Sequence, residues 1–434
     1  MIKVCQKRRL DLVKKMGPNS LCLIESGRAK IRNNDVEYQF RPNSSFYYLT
    51  GYTASNSVLM IYKGKSTYEE IILVKKPNEF DEIWNGKLLS SSEISKKYKI
   101  KKCEYLCNLE KILQNYLAKS KSLYHSLEDS SQTFLLTKSI INKLQMNYRK
   151  GVDAPSQVFS LDTLINEMRL IKDAHEIKTM KYAARISAKA HINLMKKCKS
   201  GMSERDIEIE LRHFFNINDA VEAYPSIVAA GENACVLHYI KNNKIMREGD
   251  LLLTDAACEY NFYASDITRT IPINGIYSKS QKEIYNIVLH AQKKSIEMCK
   301  PGTTLIKIHQ EAVKWISKGL IKLDLVKGSL QKVLKEELYK AFYMHNTGHW
   351  LGLDVHDPLP YKIANKNVVL KPGMIFTVEP GIYIKPKKGI PKKYHNIGVR
   401  IEDNVLITRK GCEVITSDVP KTIPEIENLM SRLK

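Results

Sequence analysis

Two pairs of strand-like segments constrain the fold of this chain more than any other feature, because all four segments carry an acidic residue. The first pair covers 251–257 and 262–271, and the second covers 374–384 and 397–407. Directly opposed residues in an antiparallel hairpin share one face, with their Cβ atoms about 4.5–5.5 Å apart. Two carboxylates at that distance repel each other unless a cation lies between them or one of them is protonated. The fold must therefore neutralise these acids or leave them in water.

The first hairpin is predicted to place Asp255 directly opposite Asp266, with its turn centred on Tyr260–Asn261. Two solvated aspartates on an exposed face are the simplest alternative. The segments around them are apolar, however, with leucines at 251–253 and Ile267 beside Asp266, so we predict that the pair is buried.

The second hairpin is predicted to bring Glu379 near Glu402, with its turn centred on Ile390–Pro391 in the connection "KPKKGIPKK". Arg400 precedes Glu402 by two residues and therefore shares its face of the strand. Its fixed positive charge would keep the carboxylates ionised or hold a carboxylate or carbonyl group of a substrate.

Three histidines lie in the stretch "HNTGHWLGLDVHD" (345–357): His345, His349 and His356. By itself this stretch fits a metal site, a proton-transfer site or a buried strand that is rich in imidazole. Four carboxylates with one histidine nearby form an oxygen-rich set that suits Mn²⁺ or a similar divalent ion. Their negative charge exceeds the charge of one such ion, so two bridged metals about 3.5–4 Å apart fit best. Such a pair activates water and polarises a carbonyl group, which predicts a dinuclear hydrolase.

The length of the chain suggests two or three domains, and the pattern of elements predicts two. Strand-like segments of a mixed sheet occupy the first part, at 20–26, 57–63, 70–76 and 123–129. We therefore predict an α/β N-terminal domain over residues 1–172. A long helix begins after Lys172-Asp173, and residues 173–434 combine helices with the two hairpins as an α+β domain.

The net charge of +23 would by itself suggest a polyanionic partner such as nucleic acid. The lysines are spread along the chain, however, with clusters at 96–102 and 385–393, and no arginine-rich arm or zinc-finger pattern is present. Together with the many Ile and Asn residues, this distribution is typical of an AT-rich genome. We therefore expect no nucleic-acid partner, with polyanion binding as the alternative.

Composition also bears on the compartment. The chain is 43% apolar and 26% charged, and none of its apolar runs approaches the length of a membrane span. Its first residues, "MIKVCQKRRLDLVKKM", lack the apolar core of a secretory signal. The nine cysteines are scattered without paired spacing, which predicts reduced thiols. We therefore expect a cytoplasmic protein without membrane association.

Four segments closely resemble the metal-binding blocks of the pita-bread metallopeptidases, family M24: "TDAACEYNFYASDITRT", "HNTGHWLGLDVHD", "TVEPGIY" and "GVRIEDN". Within that family the chain resembles the aminopeptidase P branch, the bacterial Xaa-Pro aminopeptidases. The resemblance covers nearly the whole chain, because further segments also match: "EYQFRPNSSFYYLTGY", "DEIWNGKLL", "NEMRLIKDAHEI" and "GENACVLHY". It implies a pita-bread catalytic domain that removes the N-terminal residue from peptides with proline in second position.

By position, the resemblance implies five metal ligands: Asp255, Asp266, His349, Glu379 and Glu402. It implies two ions, Mn²⁺ or other divalent metals, bridged by Asp266 and Glu402. Asp255 would complete one site, and His349 with Glu379 the other. A hydroxide between the ions would attack the carbonyl group before proline. Glu379 would take the proton of the water and pass it towards the proline nitrogen.

The resemblance also implies roles for five other residues. His238 and His356 would bind substrate and stabilise the tetrahedral oxyanion. His345 and Arg400 would line the proline side of the pocket, and Arg400 would also be one of the catalytic residues. Trp84 matches a tryptophan that reaches the active site of a neighbouring subunit, which implies a homo-oligomer, either a tetramer or a dimer.

Three alternatives remain. Prolidase is a dipeptidase with the same fold and metals, but Trp350 and the N-terminal segments favour the aminopeptidase. Methionine aminopeptidase usually lacks the large N-terminal domain. A metal-free pita-bread protein that binds nucleic acid or another partner would lose ligands, whereas all five positions are filled here. Asn346-Thr347 depart from the smaller or apolar residues expected in the proline pocket, which leaves the fine substrate preference open.

Overall fold

The computed structural model describes residues 1–127 and 132–431. The chain divides into two compact units, Met1–Met168 and Arg169–Lys434. Among the described residues, every helix is too short or too polar to cross a lipid bilayer.

The predicted domains, 1–172 and 173–434, have their boundary close to this division, and that boundary stays a prediction. The last two residues of the predicted strand 123–129 lie outside the described residues, as do residues 432–434 of the predicted second domain. The described part of that strand runs from Ser122 to His125.

The first unit is an α/β structure around one mixed sheet, as predicted. Its strands are β1 (Ser20–Glu25), β2 (Ile31–Asn33), β3 (Val36–Glu37), β4 (Val58–Lys63), β5 (Tyr68–Val74), β6 (Lys102–Tyr105), β7 (Ser122–His125) and β8 (Gln157–Ser160). Its helices are α1 (Ile2–Lys15), α2 (Ser44–Thr50), α3 (Glu79–Asn85), α4 (Ser91–Tyr98), α5 (Leu109–Leu117), α6 (Gln132–Gln145) and α7 (Leu161–Arg169). The main sheet has the order β6-β5-β4-β1-β7-β8, and its β1–β4 and β4–β5 pairs are antiparallel while the outer pairs are parallel.

The core of this unit forms where one face of the sheet packs on helices. Leu23, Met60 and Leu73 of the middle strands are buried together with Leu113 and Leu117 of α5. Alternate residues of a strand point to the same face, so the apolar runs of these strands supply this face. The runs therefore predicted the four middle strands of the sheet, while the edge strands β6 and β8 were not predicted.

The second unit combines short sheets with longer helices. Its strands are β9 (Val221–Glu222), β10 (Ile227–Ala230), β11 (Leu251–Asp255), β12 (Cys258–Tyr260), β13 (Tyr263–Ala264), β14 (Thr268–Pro272), β15 (Lys362–Ile363), β16 (Lys366–Asn367), β17 (Ile375–Val378), β18 (Gly381–Ile384), β19 (Ile397–Arg400), β20 (Asp403–Ile407) and β21 (Cys412–Val414). Its helices are α8 (Ala174–Lys197), α9 (Glu204–Asn216), α10 (Lys279–Glu297), α11 (Leu305–Lys322), α12 (Leu330–Lys335) and α13 (Ile423–Ser431). The sheets β10-β11-β14, β13-β12-β9, β17-β20-β21 and β18-β19 contain both predicted hairpins.

Helix α8 begins where the sequence predicts a long helix. The side chain of Asp173 accepts hydrogen bonds from the backbone N–H groups of His175 and Glu176, and the Glu176 side chain bonds to the Asp173 N–H. This reciprocal pair is a capping box, which satisfies backbone donors that a helix start leaves without partners. One face of the helix then packs into the apolar core of the unit, with Ala183 and Leu194 buried.

The first hairpin has the predicted faces but not the predicted register. Asp255 pairs with Thr268 and not with Asp266, because the turn residues are Asn261–Phe262. Both have positive φ, 49° and 66°, as a two-residue hairpin turn of this kind requires. Asp266 lies two residues from Thr268 on the same face, so the two aspartates are diagonal neighbours, about 7–8 Å apart. This wider spacing leaves room for a cation.

The second hairpin has the predicted register. β18 pairs with β19 so that Gly381 lies opposite Arg400, and the pairing of β17 with β20 continues the same register. Glu379 and Glu402 lie in the gap between these two ladders, and the register places them opposite each other. The prediction from the hairpin pattern is therefore confirmed for this pair.

Candidate metal centre

A cavity of about 580 Å³ opens in the second unit. Its walls include nine residues predicted from the sequence: Asp255, Asp266, His349, Glu379, Glu402, His238, His345, His356 and Arg400. The fold therefore brings both hairpins and the three-histidine segment to one place. Trp84 lies on α3 of the first unit and is 73% exposed, so its contact with a neighbouring subunit stays a prediction.

The four carboxylates lie where strands end. Asp255 is the last residue of β11, and Asp266 lies between β13 and β14. Glu379 separates β17 from β18, and Glu402 separates β19 from β20. Because the ladders are interrupted at these points, the four side chains can converge instead of spreading along flat sheets.

Donor atoms of Asp266, His349 and Glu402 lie within 4.8 Å of one another, close enough to share one metal ion. The Nδ1 atom of His349 donates to the carbonyl oxygen of Trp350 at 3.1 Å. This bond turns Nε2 towards Asp266 Oδ2 at 3.4 Å and Glu379 Oε1 at 3.6 Å. A backbone acceptor on the far ring nitrogen is the usual way in which proteins orient a metal-binding histidine.

The position of His349 depends on Gly348. A Cβ atom at Gly348 would lie 1.9 Å from the carbonyl oxygen of Thr377, so no larger residue fits there. Thr377 donates its N–H to the His349 carbonyl at 2.9 Å, and its hydroxyl accepts the His349 N–H at 3.0 Å. The segment thus packs directly along β17, which carries the histidine to the carboxylates.

Electrostatics indicate that this site is built for a cation. Burial raises the pKa of Glu379 to about 7, and burial with the neighbouring carboxylates raises the pKa values of Asp266 and Glu402. Although burial opposes the charged form of His349, its contacts with Asp266 and Glu379 raise its pKa to about 9. Without a metal, the surroundings of Asp266, Glu379 and Glu402 therefore favour bound protons in place of a cation. Four carboxylates and one imidazole fit a divalent ion of the Mn²⁺ type, and we assign a divalent metal site.

Protons bound by Glu379 and His349 are expected to stabilise the metal-free protein, and this contribution should be lost as the pH rises. The folded pKa of Glu379, about 7, exceeds its ordinary value of 4.5, and that of His349, about 9, exceeds 6.5. The folded state therefore holds these protons more tightly than the unfolded state. The stabilisation is complete below the ordinary values and is lost as the pH passes through the folded values, so the contribution of these two groups to the free energy of unfolding falls between pH 4.5 and 9. The lowered pKa of His345 has the opposite effect between pH 4 and 6.5, so the contribution is read from a comparison with a variant. Urea unfolding in the presence of EDTA, repeated across this pH range, measures the free energy of unfolding.

Glu379→Gln is the matched control, because it removes one titrating group, so the free energy of unfolding of the wild type minus that of the variant should fall between pH 4.5 and 7. Saturating Mn²⁺ should reverse the trend, since metal binding requires deprotonated ligands. The assignment is wrong if the difference between the metal-free wild type and this variant does not change with pH.

Two hydroxyl groups that the sequence did not single out contact the carboxylates. The Tyr224 hydroxyl lies 2.6 Å from Asp255 Oδ1 and also forms a hydrogen bond with Asp266. The Thr268 hydroxyl donates to Glu402 Oε2 at 2.6 Å. Thr268 could have been found as the neighbour of Asp266 two residues along the same face. Tyr224 precedes Asp255 by 31 residues and has no local signal.

Arg400 connects Asp255 to the pair formed by Tyr383 and His345. Its guanidinium donates to Asp255 at 2.6 Å, to the Thr268 hydroxyl at 3.0 Å and to the Tyr383 hydroxyl at 2.9 Å. His345 Nδ1 lies 2.8 Å from a backbone carbonyl oxygen and must donate to it, so Nε2 accepts the Tyr383 hydroxyl at 2.9 Å. Burial and the charge of Arg400 lower the pKa of His345 to about 4. His345 is therefore neutral, with one fixed tautomer.

His238 and His356 face the cavity without the close carboxylate contacts of His349. The ring of His356 packs edge-on against that of His349, with centroids 4.4 Å apart. Burial and the nearby His349 lower the pKa of His356, which keeps it neutral. The three histidines of the segment thus occupy three different environments.

The two residues that depart from the family pattern have different surroundings. Asn346 lines the cavity. The hydroxyl of Thr347 instead lies 2.6 Å from that of Tyr343 and 2.9 Å from His309 Nδ1. Of this pair, only Asn346 lies where it could contact a substrate in the main cavity.

Two sequence profiles match the chain. That of metallopeptidase family M24 matches residues 178–409, and that of the aminopeptidase P N-terminal domain matches residues 5–124. The Xaa-Pro aminopeptidase of Escherichia coli is 38% identical over 427 residues, which cover 98% of this chain and 97% of that protein. The mitochondrial intermediate cleaving peptidase 55 of Arabidopsis thaliana is 31% identical over 98% of this chain and 82% of its own.

Solved structures share the fold. Aminopeptidase PepP of Pseudomonas aeruginosa has a TM-score of 0.97 at 40% identity, covering 100% of this chain and 98% of that one. An alanine variant of Escherichia coli aminopeptidase P in complex with substrate has a TM-score of 0.96 at 37% identity, covering 100% and 98%. The zinc-substituted form of that enzyme in complex with product has a TM-score of 0.97 at 37% identity, covering 100% and 99%. The predicted combination of an α/β domain with a pita-bread domain is confirmed.

Proposed function

Because this chain belongs to metallopeptidase family M24 and carries the aminopeptidase P N-terminal domain, we propose that its cavity is the active site of an Xaa-Pro aminopeptidase. The enzyme removes the N-terminal residue from peptides whose second residue is proline. The observation that carries this function is the convergence of Asp266, His349 and Glu402 on one metal position. Full-length similarity to an Xaa-Pro aminopeptidase and to a substrate complex supports it.

The proposed cofactor is a pair of Mn²⁺ ions, for which other divalent ions could substitute. Asp266 and Glu402 would bridge the pair, Asp255 would complete one site, and His349 with Glu379 the other. The four carboxylates support two ions, since their charge exceeds that of one divalent cation. When bound, the ions lower the pKa of water and polarise the scissile carbonyl group.

Glu379 is the proposed general base. Its backbone N–H donates to the Thr347 carbonyl at 2.7 Å, and the Thr377 hydroxyl lies 3.4 Å from its Oε1. These contacts hold the carboxylate at the cavity wall, where it takes a proton from the attacking water and delivers it to the proline nitrogen. Moving that proton converts the nitrogen into a neutral leaving group.

His238 and His356 are proposed to hold the oxyanion that forms at the attacked carbonyl group. Both line the cavity, and the lowered pKa of His356 leaves a neutral imidazole that can donate an N–H without repelling the metals. A fixed donor aimed at developing charge stabilises the transition state more than the substrate.

The proline side of the pocket is proposed to be formed by His345 and Arg400, with the hydroxyl of the buried Tyr383 bonded to both. The Tyr383 hydroxyl occupies Nε2 of His345 and one N–H of Arg400, which fixes the His345 ring at the cavity wall. Val355 and Leu237 add apolar surface to the same cavity. Such a wall favours the apolar pyrrolidine ring of proline.

Peptide cleavage distinguishes this enzyme from prolidase. Protein stripped with EDTA and reloaded with Mn²⁺ is expected to release the N-terminal residue from Xaa-Pro-Yaa tripeptides, while the stripped protein does not. Matched Xaa-Ala-Yaa peptides are the control for proline specificity, and mass spectrometry of the products is the measurement. Cleavage of Xaa-Pro dipeptides alone would instead establish a prolidase, and no metal-dependent cleavage of any peptide would reject the enzyme.

A homo-oligomer, either a tetramer or a dimer, is also proposed. Helix α3 exposes Phe80, Ile83 and Trp84 by 70%, 79% and 73%, and adjacent exposed apolar side chains are typical of a contact surface. Trp84 would reach a neighbouring active site from this helix. The reduced, cytoplasmic setting stays a prediction from the spacing of the nine cysteines.

A further inference from the structure

Asn404 forms a direct link between the two hairpins that supply the metal ligands. It lies two residues after Glu402 on β20 and is 0% exposed. Its Oδ1 accepts the backbone N–H of Asp266 at 3.0 Å, and its Nδ2 donates to the Asp266 carbonyl oxygen at 2.6 Å. The Asp266 N–H can bond only to an acceptor, so these bonds also fix which way the amide points.

The backbone of Asp266 needs such a partner because the residue lies between β13 and β14. The backbone groups of its two neighbours in the chain form hydrogen bonds across the hairpin. In an antiparallel pair, consecutive residues direct their backbone groups to alternate sides of the strand. The N–H and the carbonyl group of Asp266 therefore point to the opposite edge. At that edge the Glu402 N–H bonds to the Thr268 carbonyl at 3.1 Å. The Asn404 amide continues this contact in the manner of a strand partner.

Asn404 is itself held firmly. Its N–H donates to the Thr416 hydroxyl at 3.0 Å, and its carbonyl accepts the Ile415 N–H at 3.0 Å. The preceding residue, Asp403, is fully buried and accepts hydrogen bonds from Arg269 and Gln292 at 2.7 Å each. A rigid support of this kind can transmit the position of one hairpin to the other.

We propose that Asn404 is a positioning residue that sets the separation of the Asp266 and Glu402 carboxylates. The proposal rests on the proposed function, in which these two residues bridge the metal ions. Asn404 acts only through the backbone of Asp266 and touches neither substrate nor metal. A change in this separation moves both ligands of a shared ion, so metal affinity should respond more than fold stability does.

The test is titration of metal-free protein with MnCl₂ by calorimetry. Asn404→Ala and Asn404→Ser both remove the two-bond amide, and the serine keeps one polar group. Each variant is first checked for cooperative thermal unfolding. The expected result is a loss of Mn²⁺ affinity of about 10- to 100-fold, as is typical when an outer support of a metal ligand is removed.

Asn242→Ala is the matched control. Asn242 is 1% exposed, and its amide also bonds two backbone groups, the Val228 N–H at 3.1 Å and the Ser226 carbonyl at 2.7 Å. It contacts none of the proposed ligands, so its removal should destabilise the fold by a similar amount and leave Mn²⁺ affinity unchanged.

Three outcomes would overturn the proposal. The first is wild-type Mn²⁺ affinity in a folded Asn404 variant, and the second is an equal loss of affinity in Asn242→Ala. The third is failure of both Asn404 variants to fold while Asn242→Ala folds, because the residue would then serve the fold and not the site. A wild-type protein that binds no Mn²⁺ would overturn the proposed function itself, and this proposal with it.

Discussion

Replacing Glu379 with glutamine is expected to lower kcat/KM for Xaa-Pro-Yaa peptides by about 10²- to 10⁴-fold, the contribution typical of a positioned general base. The amide preserves the shape of the side chain but cannot take a proton from water. The loss should not come from unfolding. Burial raises the pKa of Glu379 to about 7, so above that pH the ionised carboxylate destabilises the metal-free fold, and the neutral amide should raise its unfolding temperature.

A combined loss of activity and gain of metal-free stability would identify Glu379 as a residue kept for chemistry at the expense of the fold. Glu413→Gln is the control, because Glu413 is exposed and pairs with Lys181 at 2.7 Å, away from the cavity. Glu413→Gln should change neither kcat/KM nor the unfolding temperature of the metal-free protein. Activity of Glu379→Gln equal to that of Glu413→Gln would exclude the proposed base.

His349→Ala and His356→Ala are expected to lower activity in different ways. His349 directs Nε2 at Asp266 and Glu379, so its removal should release metal and lower kcat/KM by more than about 10³-fold, because charge stabilisation is lost with the ion. His356 packs on the His349 ring without such contacts. Its removal should leave the metal content unchanged and lower kcat by about 10²- to 10³-fold, as for loss of an oxyanion donor.

Elemental analysis after gel filtration, together with steady-state kinetics, measures both effects. His213→Ala, a change on the exposed face of α9, should match the wild type in metal content and rate. Equal loss of metal in His349→Ala and His356→Ala would show that this division between ligand and oxyanion donor is wrong.

The first hairpin shows both the reach and the limit of reasoning from the sequence. The observed pairing differs from the predicted one by two residues, and a shift of two keeps every side chain on its face, so the placement of Asp255 and Asp266 on one face was predicted correctly. Their exact opposition was not, because the register depends on which two residues adopt positive φ in the turn. Asn261–Phe262 do so, and the pair moves to diagonal positions with Thr268 directly opposite Asp255.

The second hairpin was predictable because its ends are well marked. The apolar runs on either side of the lysine- and proline-rich connection are buried together only in registers that differ by an even number of residues, and the predicted one of these is observed. A shift of one residue would have turned Glu379 and Glu402 out of the cavity. The acidic pair and the apolar residues beside it therefore required the same alignment.

The sequence alone determined the ligand types, the faces that they share and the need for a cation, because these follow from local periodicity and from the charge of four carboxylates in apolar surroundings. Only the tertiary structure decided which groups support them. Tyr224, Tyr383 and Asn404 contact the ligands or their neighbours from distant parts of the chain. Hydrogen bonds between residues so far apart depend on how whole elements pack, and no local pattern of side chains encodes that packing.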